Sequence, residues 1–322
     1  MSRYDLTTVG EACIRLSTRS GESLPWARTL DVDVAGAEGN VAGALAHLGW
    51  KTTWVSRLPE GPLAERVVQH YTRAGVDLSG LTRVQEGRVG TLFIERQPPP
   101  RATRVRFDRK DSAFTGLDHA SVPWELLLDT RMLHLTGITS PLSPSVARAI
   151  QLITDRARAD GIPFSYDVNY RHHLWSVEAC ASATRRLARD ACTVFCNHRD
   201  AHLVLGAPRD IDQALDHVQN EMRARIVVMS KGDAGVFARI DGVTVHEAGV
   251  PTHIVDRAGA GDALAAGFLH GYLRGEPTRG LAYGQLMARL ALTQETELVL
   301  TTHDELRSIL STDVNSQGGI ER

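Results

Sequence analysis

Cysteine is scarce in this sequence. Its 322 residues include four cysteines, and no two of them form a C-x-x-C pair. Structural zinc sites and disulfide frameworks depend on closely spaced cysteines. The sequence therefore argues against a disulfide scaffold and against a cysteine-based zinc site.

A charge excess and long apolar runs are also missing. Lys and Arg number 36 and Asp and Glu number 38, so the formal net charge is −2. This balance gives no electrostatic reason to bind nucleic acid or an anionic membrane. No stretch approaches the roughly 18 apolar residues of a membrane helix, and the first residues lack the apolar core of a signal peptide. We expect a cytoplasmic protein that binds neither nucleic acid nor membranes.

Two common phosphate-binding motifs are absent as well. The Walker pattern G-x-x-x-x-G-K-[ST] occurs nowhere in the chain. The dinucleotide pattern G-x-G-x-x-G starts at Gly259 but has Leu264 in place of its third glycine. That pattern normally opens a β-α-β unit, whereas this one lies about four-fifths along the chain. A nucleotide site in this protein must therefore be built differently.

Strand-like and helix-like patterns alternate along the chain. Helical patterns occupy 40–48, 145–160 and 178–190, and short buried-strand patterns occupy 6–10, 52–56, 132–135, 164–168, 193–196 and 226–229. Such alternation predicts an α/β fold with a mostly parallel sheet and helices on both faces. The length suits one large domain, which we expect over residues 1–312, with a flexible polar tail at 313–322.

One region breaks this alternation. Residues 90–95 and 104–109 form two alternating patterns, joined by a proline-rich segment. A half-exposed hairpin does not fit between the helices of such a core, and it predicts a small accessory β-sheet. Further strands of that sheet are expected near 12–18 and 28–34.

The most informative segment is Asp256-Arg-Ala-Gly-Ala-Gly-Asp262, which precedes an alanine- and leucine-rich helical pattern. The free N–H groups at such a helix start, with the positive end of the helix dipole, form an anion site. Gly259, Ala260 and Gly261 leave room for a phosphate to approach the backbone. Asp262 in the first turn is then placed to accept a proton from an attacking hydroxyl. The alternative is that Asp262 only caps a helix.

This segment resembles the C-terminal signature of the PfkB (ribokinase-like) carbohydrate kinases. The resemblance implies an ATP-dependent sugar kinase with Asp262 as catalytic base and the Gly259–Gly261 amides as anion hole. Arg257-Ala258 stands where many members carry Thr-Thr or Thr-Val. The implied fold is a three-layer α/β/α core with a small β-sheet lid, formed here from about 12–34 and 88–111. Such lids often pair, so a homodimer through the lid is expected.

A second motif, residues 35–42, resembles the N-terminal signature of the same family. Gly36 and Asn40 are implied to hold sugar hydroxyls, and Gly39 replaces the usual Ala or Val. The alternative is an ordinary turn with Asn40 as the N-cap of the following helix. The two motifs occur in the family's order, some 220 residues apart.

Two further pieces concern the nucleotide. The turn 230–235 resembles the family element along the nucleotide, which implies Ser230, Gly232 and Gly235 as cofactor-binding residues beside Gly259 and Gly261. Asn197 and Asp200 fall where the family has Asn-x-x-Glu, an element that orders water around Mg²⁺. Asp200 is therefore expected to act on the metal through water, unless it only caps a helix. ATP and Mg²⁺ are the implied cofactors, and a monovalent cation remains open.

Two arginines point to the substrate. The segments 107–113 and 167–171 resemble the 2-keto-3-deoxygluconate kinase branch, in which Arg109 and Arg171 would bind a carboxylate. A planar guanidinium suits that task. Phe93 and Phe107, where that branch often has tyrosine, are the other expected substrate contacts. The predicted activity is phosphorylation of a primary hydroxyl of a sugar acid, most simply 2-keto-3-deoxygluconate. A kinase of a neutral sugar such as fructose and a catalytically silent sugar-binding regulator remain alternatives.

Overall fold

The structure is a computed structural model that describes residues 2–98 and 100–312. The tail predicted at 313–322 lies outside these residues. The strands are β1 (Leu6–Val9), β2 (Cys13–Ser17), β3 (Asp31–Ala35), β4 (Thr52–Pro59), β5 (Leu81–Val84), β6 (Gly90–Glu95), β7 (Arg104–Asp108), β8 (Leu133–Thr136), β9 (Phe164–Asp167), β10 (Thr193–Asn197), β11 (Ile226–Ser230), β12 (Val236–Ile240) and β13 (Val243–Glu247).

In the part of the chain that the structure describes, α-helices lie in six of the twelve connections between successive strands. The helices are α1 (Ala37–His47), α2 (Pro62–Ala74), α3 (Trp124–Leu128), α4 (Pro144–Ala159), α5 (Val177–Leu187), α6 (His198–Leu205), α7 (Ile211–Met222), α8 (Ala260–Leu273), α9 (Pro277–Leu292) and α10 (His303–Thr312). Over the described residues, no helix is long and apolar enough to cross a membrane.

A large sheet runs through the middle of the molecule in the order β13-β12-β11-β10-β9-β8-β1-β4-β5. Its strands are parallel from β11 to β5, while β12 and β13 are antiparallel. From β1 the chain builds outward first through β4 and β5 and later, on the other side, through β8 to β11. The strand order therefore reverses beside β1, and ligands bind at the carboxyl ends of such strands.

Helices cover both faces of this sheet. Side chains of α1, α2, α8, α9 and α10 belong to one buried cluster, and those of α3 to α7 belong to another. The predicted three-layer α/β/α core is confirmed. Glycines allow α8 and α9 to pack closely, since a Cβ on Gly267 would lie 2.6 Å from the Tyr283 carbonyl oxygen.

The predicted accessory sheet is confirmed as a separate four-stranded sheet of order β3-β2-β6-β7. Its hairpin pairs Leu92 with Phe107 and Phe93 with Arg106. Paired residues share a face, and neighbours along a strand face opposite ways. Leu92 and Phe107 therefore share one face, and Phe93 lies on the other.

The start of α1 differs from the prediction. The helical pattern at 40–48 begins at Asn40, with Asn40 as its N-cap in the alternative interpretation, but α1 starts at Ala37 and its N-cap is Gly36. Asn40 instead lies within the first turns, where its side chain can reach out from the helix. The predicted end of this helix, at residue 48, lies one residue past the observed end at His47. Gly49 follows with a φ of 94°, which suits glycine.

Candidate active site

A cavity of about 840 Å³ lies at the carboxyl ends of the central strands, under the small sheet. This volume is typical of small-molecule sites. Strands β9, β10 and β11 supply Asp167, Asn197 and Ser230, and the small sheet supplies Leu92 and Phe107. The cavity therefore has a wall of polar strand ends and an apolar cover.

The helix start predicted to bind an anion forms part of this cavity. Gly259 is the N-cap of α8 with a φ of 79°, and a Cβ there would clash with the Glu297 carbonyl oxygen. The N–H of Ala263 makes the first bond of the helix, to the Gly259 carbonyl. The amides of Ala260, Gly261 and Asp262 thus have no partner within the helix, which suits an anion.

Asp262 lies half-buried in the first turn of α8 and lines the cavity. Its Oδ2 accepts a hydrogen bond of 2.8 Å from Nδ2 of Asn40. Burial raises the pKa of this carboxyl, while the Asn40 hydrogen bond and the Arg171 charge lower it. The surroundings keep a carboxylate beside an anion site and make it a stronger base than an exposed aspartate.

The two predicted carboxylate-binding arginines both line the cavity but differ in their partners. Nε of Arg109 lies 2.8 Å from Oε2 of buried Glu11, and its guanidinium lies over the Phe107 ring. Arg171 is exposed and donates to the neighbouring Tyr170 carbonyl. Its positive charge lowers the pKa of Asp167 and of Asp262. Arg171 is thus the less neutralised cation of the pair.

Two residues predicted as sugar contacts, Phe93 and Asn40, are not among those that line the cavity. Phe93 lies on the outer face of β6, and the cavity-lining residues of that strand are Leu92 and Ile94. Asn40 is buried, with Nδ2 donating to Asp262 and, at 3.4 Å, to Oε2 of Glu297. Asn40 therefore supports the carboxylates from behind and is not among the residues that line the cavity. Gly36 does line it, as predicted.

The predicted nucleotide residues divide in a similar way. Asn197 and Ser230 line the cavity. Asp200 lies behind Asn197, whose Oδ1 accepts from the Asp200 N–H and whose Nδ2 donates to the Asp200 carboxylate, both at 2.7 Å. Asn197 is thus the N-cap of α6, and Asp200 reaches the cavity only through Asn197. Gly232 and Gly235 shape the turn with φ values of 54° and 95° and do not line the cavity.

Several carboxylates at the site were not predicted from the sequence. Burial raises the pKa of Glu38, Asp167 and Glu297 to about 7 in each case. Glu38 Oε1 accepts from the hydroxyls of Thr136, at 2.7 Å, and Thr139. Glu38 lies inside the motif 35–42, and Asp167 begins the segment 167–171. The sequence therefore contained a signal for both residues. Glu297 stands in a loop with no motif.

Glu38 gives the fold a measurable pH dependence. Its pKa rises from an ordinary 4.5 to about 7, so the folded chain holds a proton that the unfolded chain releases. The corresponding stability is complete below about pH 4.5 and is lost as the pH rises through 7. The loss is on the order of 3 kcal/mol. We therefore expect the Glu38→Gln variant to melt higher than wild type at pH 8 and to show a weaker decline in Tm from pH 5 to pH 8.

Thermal melts at both pH values check this, with Glu65→Gln as the matched control. Glu65 is exposed and pairs with Arg83. Its replacement should leave the pH dependence of Tm unchanged. An identical decline in wild type and Glu38→Gln would show that Glu38 does not hold the proton.

Comparison with known proteins agrees with this geometry. Residues 4–298 match the pfkB family carbohydrate kinases. The chain belongs to this family. It is therefore a sugar kinase that uses ATP, and the predicted ribokinase-like fold is confirmed.

Three relatives illustrate the likeness. The chain is 32% identical over 319 residues to a 2-dehydro-3-deoxygalactonokinase of Haloferax volcanii, with 99% of each chain covered. It is 26% identical to a 5-dehydro-2-deoxygluconokinase of Geobacillus thermodenitrificans, with 90% of this chain and 87% of the relative covered. The structure of a 2-dehydro-3-deoxygluconokinase of Thermotoga maritima superposes with a TM-score of 0.90 at 26% identity, covering 96% of this chain and 100% of the other.

Proposed function

We propose that this pfkB kinase transfers the γ-phosphoryl group of ATP to a primary hydroxyl of a 2-keto-3-deoxy sugar acid. The observation that carries the proposal is one cavity that contains both an anion-binding helix start with Asp262 and two arginines. Two of the named relatives are kinases of 2-dehydro-3-deoxy sugar acids, and the third is a 5-dehydro-2-deoxygluconokinase. 2-Keto-3-deoxygluconate is our first candidate substrate.

In this mechanism Asp262 accepts the proton of the attacking hydroxyl. Asn40 holds the carboxylate in place through its 2.8 Å hydrogen bond. The amides of Ala260, Gly261 and Asp262 stabilise the negative charge that is spread over the transferred group. The first turn of α8 thus supplies both the proton acceptor for the hydroxyl and the donors that stabilise the transferred group.

Arg171 and Arg109 would hold the carboxylate of the sugar. Charge-assisted hydrogen bonds of this type are stronger than neutral ones. Leu92 and Phe107 cover the cavity from the small sheet, where they would face the sugar's carbon chain. A neutral sugar would leave Arg171 unpaired, which supports the acidic substrate.

The residues present suit Mg²⁺ held largely by phosphates and water. Over the described residues, no group of three or more His, Cys, Asp or Glu side chains is placed to hold a metal. Mg²⁺ commonly binds one or two carboxylates with substrate phosphates and water. Asp167, Asp256 and Asp262 are the aspartates that line the cavity, and Asp256 among them is paired with Arg15. Asp200 would act through Asn197. Bound Mg²⁺ would neutralise phosphate charge during transfer.

A coupled ADP-release assay tests the proposed substrate. The panel contains 2-keto-3-deoxygluconate, 2-keto-3-deoxygalactonate, 5-keto-2-deoxygluconate, fructose and ribose. We expect the highest kcat/KM with one of the two 2-keto-3-deoxy acids and much lower values with the neutral sugars. A preference for fructose or ribose would contradict the proposal while leaving the kinase assignment intact.

The small sheet is proposed to act as a lid of a single domain, and its outer face to form a homodimer. Closure would exclude water from the transfer reaction. Leu16, Val32 and Phe93 share the outer face, and Val32 is 40% exposed. We also propose a cytoplasmic location, where ATP is available.

The lid hypothesis predicts a change in hydrogen exchange. Amides of β6 and β7 should become more protected when sugar acid binds, because the sheet would close on the ligand. Strands β12 and β13, at the far edge of the large sheet, serve as the internal control. Equal protection of β6 and β7 with and without sugar would contradict closure.

A further inference from the structure

A buried arginine of the small sheet contacts the phosphate-binding segment of the large domain. Arg15 lies on β2 and is 0% exposed. One of its terminal nitrogens pairs with Asp256, and the other lies 3.2 Å from Oε1 of Glu297. Its Nε donates to Ser17 at 3.2 Å. All three nitrogens of the guanidinium are thus engaged.

The contacts continue from Arg15 to the proposed base. The Glu297 carboxylate accepts from Asn40, and Asn40 donates in turn to Asp262. The carbonyl of Glu297 packs against Gly259, the N-cap of α8. The loop that contains Glu297 therefore contacts the N-cap of α8 directly and reaches the base through Asn40.

Three acidic side chains lie close together at the anion site, where a positive charge would reduce their mutual repulsion. Asp256, Asp262 and Glu297 all line the cavity where phosphate would arrive. The negative charges of Asp262 and Asp256 raise the pKa of Glu297, and the Arg15 charge lowers it. Arg96, which follows β6, lies 3.8 Å from Asp256 and 3.2 Å from Glu295 and adds a second positive charge.

We propose that Arg15 is a positioning residue for phosphoryl transfer, which holds Asp256 and Glu297 so that the anion hole and Asp262 keep their geometry. This rests on the proposed role of Asp262. Arg15 would thereby link the small sheet, which covers the cavity, to the segment that stabilises the transferred phosphoryl group. Lysine cannot replace it fully, because one ammonium cannot bridge two carboxylates as a planar guanidinium does.

A role limited to stability fits the site poorly. Buried ion pairs contribute little net stability compared with apolar residues of the same volume. Arg15 stands on a strand whose neighbours Cys13 and Ile14 are buried apolar residues, so an apolar side chain would suit the packing. The Arg15 charge instead pairs with two carboxylates, those of Asp256 and Glu297, on another part of the chain.

The test compares Arg15→Lys, Arg15→Ala and a matched control, Arg88→Lys. Arg88 lies just before β6, the strand that pairs with β2, but its side chain pairs at the surface with Asp108. For Arg15→Lys we expect kcat to fall about 10-fold or more, with the KM of sugar and ATP within about threefold of wild type. Arg15→Ala should fall further and regain about tenfold in kcat with tens of millimolar guanidinium. Arg88→Lys should stay within about twofold.

Several outcomes would overturn the proposal. These are a wild-type kcat for Arg15→Lys, a change in KM alone, or no rescue of folded Arg15→Ala by guanidinium. If Arg15→Ala does not fold, the test rests on Arg15→Lys, for which a fall in kcat with a nearly unchanged KM supports the proposal. The proposed base is judged separately in the same assay with Asp262→Asn, so failure of one assignment is distinguishable from failure of the other.

Discussion

Asp262→Asn is expected to lower kcat by at least about 10²-fold, in line with typical general-base contributions of about 10² to 10⁴. The amide cannot accept the proton of the sugar hydroxyl. It keeps the size of the side chain, and its oxygen can still accept the Asn40 hydrogen bond. The fold and the anion hole should therefore survive.

Binding and turnover must be measured together. Calorimetric titration with a non-hydrolysable ATP analogue should give a Kd close to that of wild type, because the amides of α8 remain. Asp304→Asn, an exposed aspartate in the first turn of α10, is the matched control and should keep full activity. A variant at Asp262 that retains most of its kcat would remove this residue from the mechanism.

The sequence predicted the local structure well where a motif coincides with an element boundary. Gly259 and Asp262 were placed correctly at the start of a helix, because glycine at a left-handed N-cap and a following helical pattern are both local features. The central strands were also recognisable, since buried parallel strands are short continuous apolar runs. Local sequence was sufficient for these parts.

The register of the small sheet was not predictable in the same way. Leu92, Phe93 and Ile94 are all apolar, so the alternation does not say which of them face the cavity. A shift of one residue exchanges the two faces of a strand. The structure assigns Leu92 and Ile94 to the cavity.

Contacts between distant segments were also beyond the sequence. Glu11 pairs with Arg109, and Glu297 meets Asn40 across some 250 residues of chain. Gly39 shows the same limit. It replaces a more usual Ala or Val because a Cβ there would clash with the Tyr71 ring of α2. Such facts follow from packing between elements rather than from any one motif.

Arg171→Ala is expected to separate charged from neutral substrates. Hydrogen bonds to charged groups contribute about 1.5–3 kcal/mol, so kcat/KM for the sugar acid should fall by one to two orders of magnitude. The value for the matching neutral sugar should change much less. Arg171→Lys should recover only part of the loss, because an ammonium lacks the bidentate fork.

The pH must be chosen with care, since Arg171 lowers the pKa of Asp262. Removal of the Arg171 charge raises the pKa of Asp262, so less of the base is ionised at low pH. The kcat/KM of both the acidic and the neutral sugar would then fall. This shared effect becomes smaller as the pH rises, while the loss specific to the acid remains. Kinetics at pH 6 and pH 8 separate the two contributions.

Arg109→Ala is a less clean probe of the same hypothesis. Arg109 lies beside buried Glu11, and its removal leaves that carboxylate without a cation, which commonly costs several kcal/mol. A lower Tm is therefore expected for Arg109→Ala but not for exposed Arg171→Ala. If Arg171→Ala reduces kcat/KM for acid and neutral sugars equally at pH 8, Arg171 does not bind a carboxylate. The cavity would then suit a neutral sugar on the same pfkB scaffold.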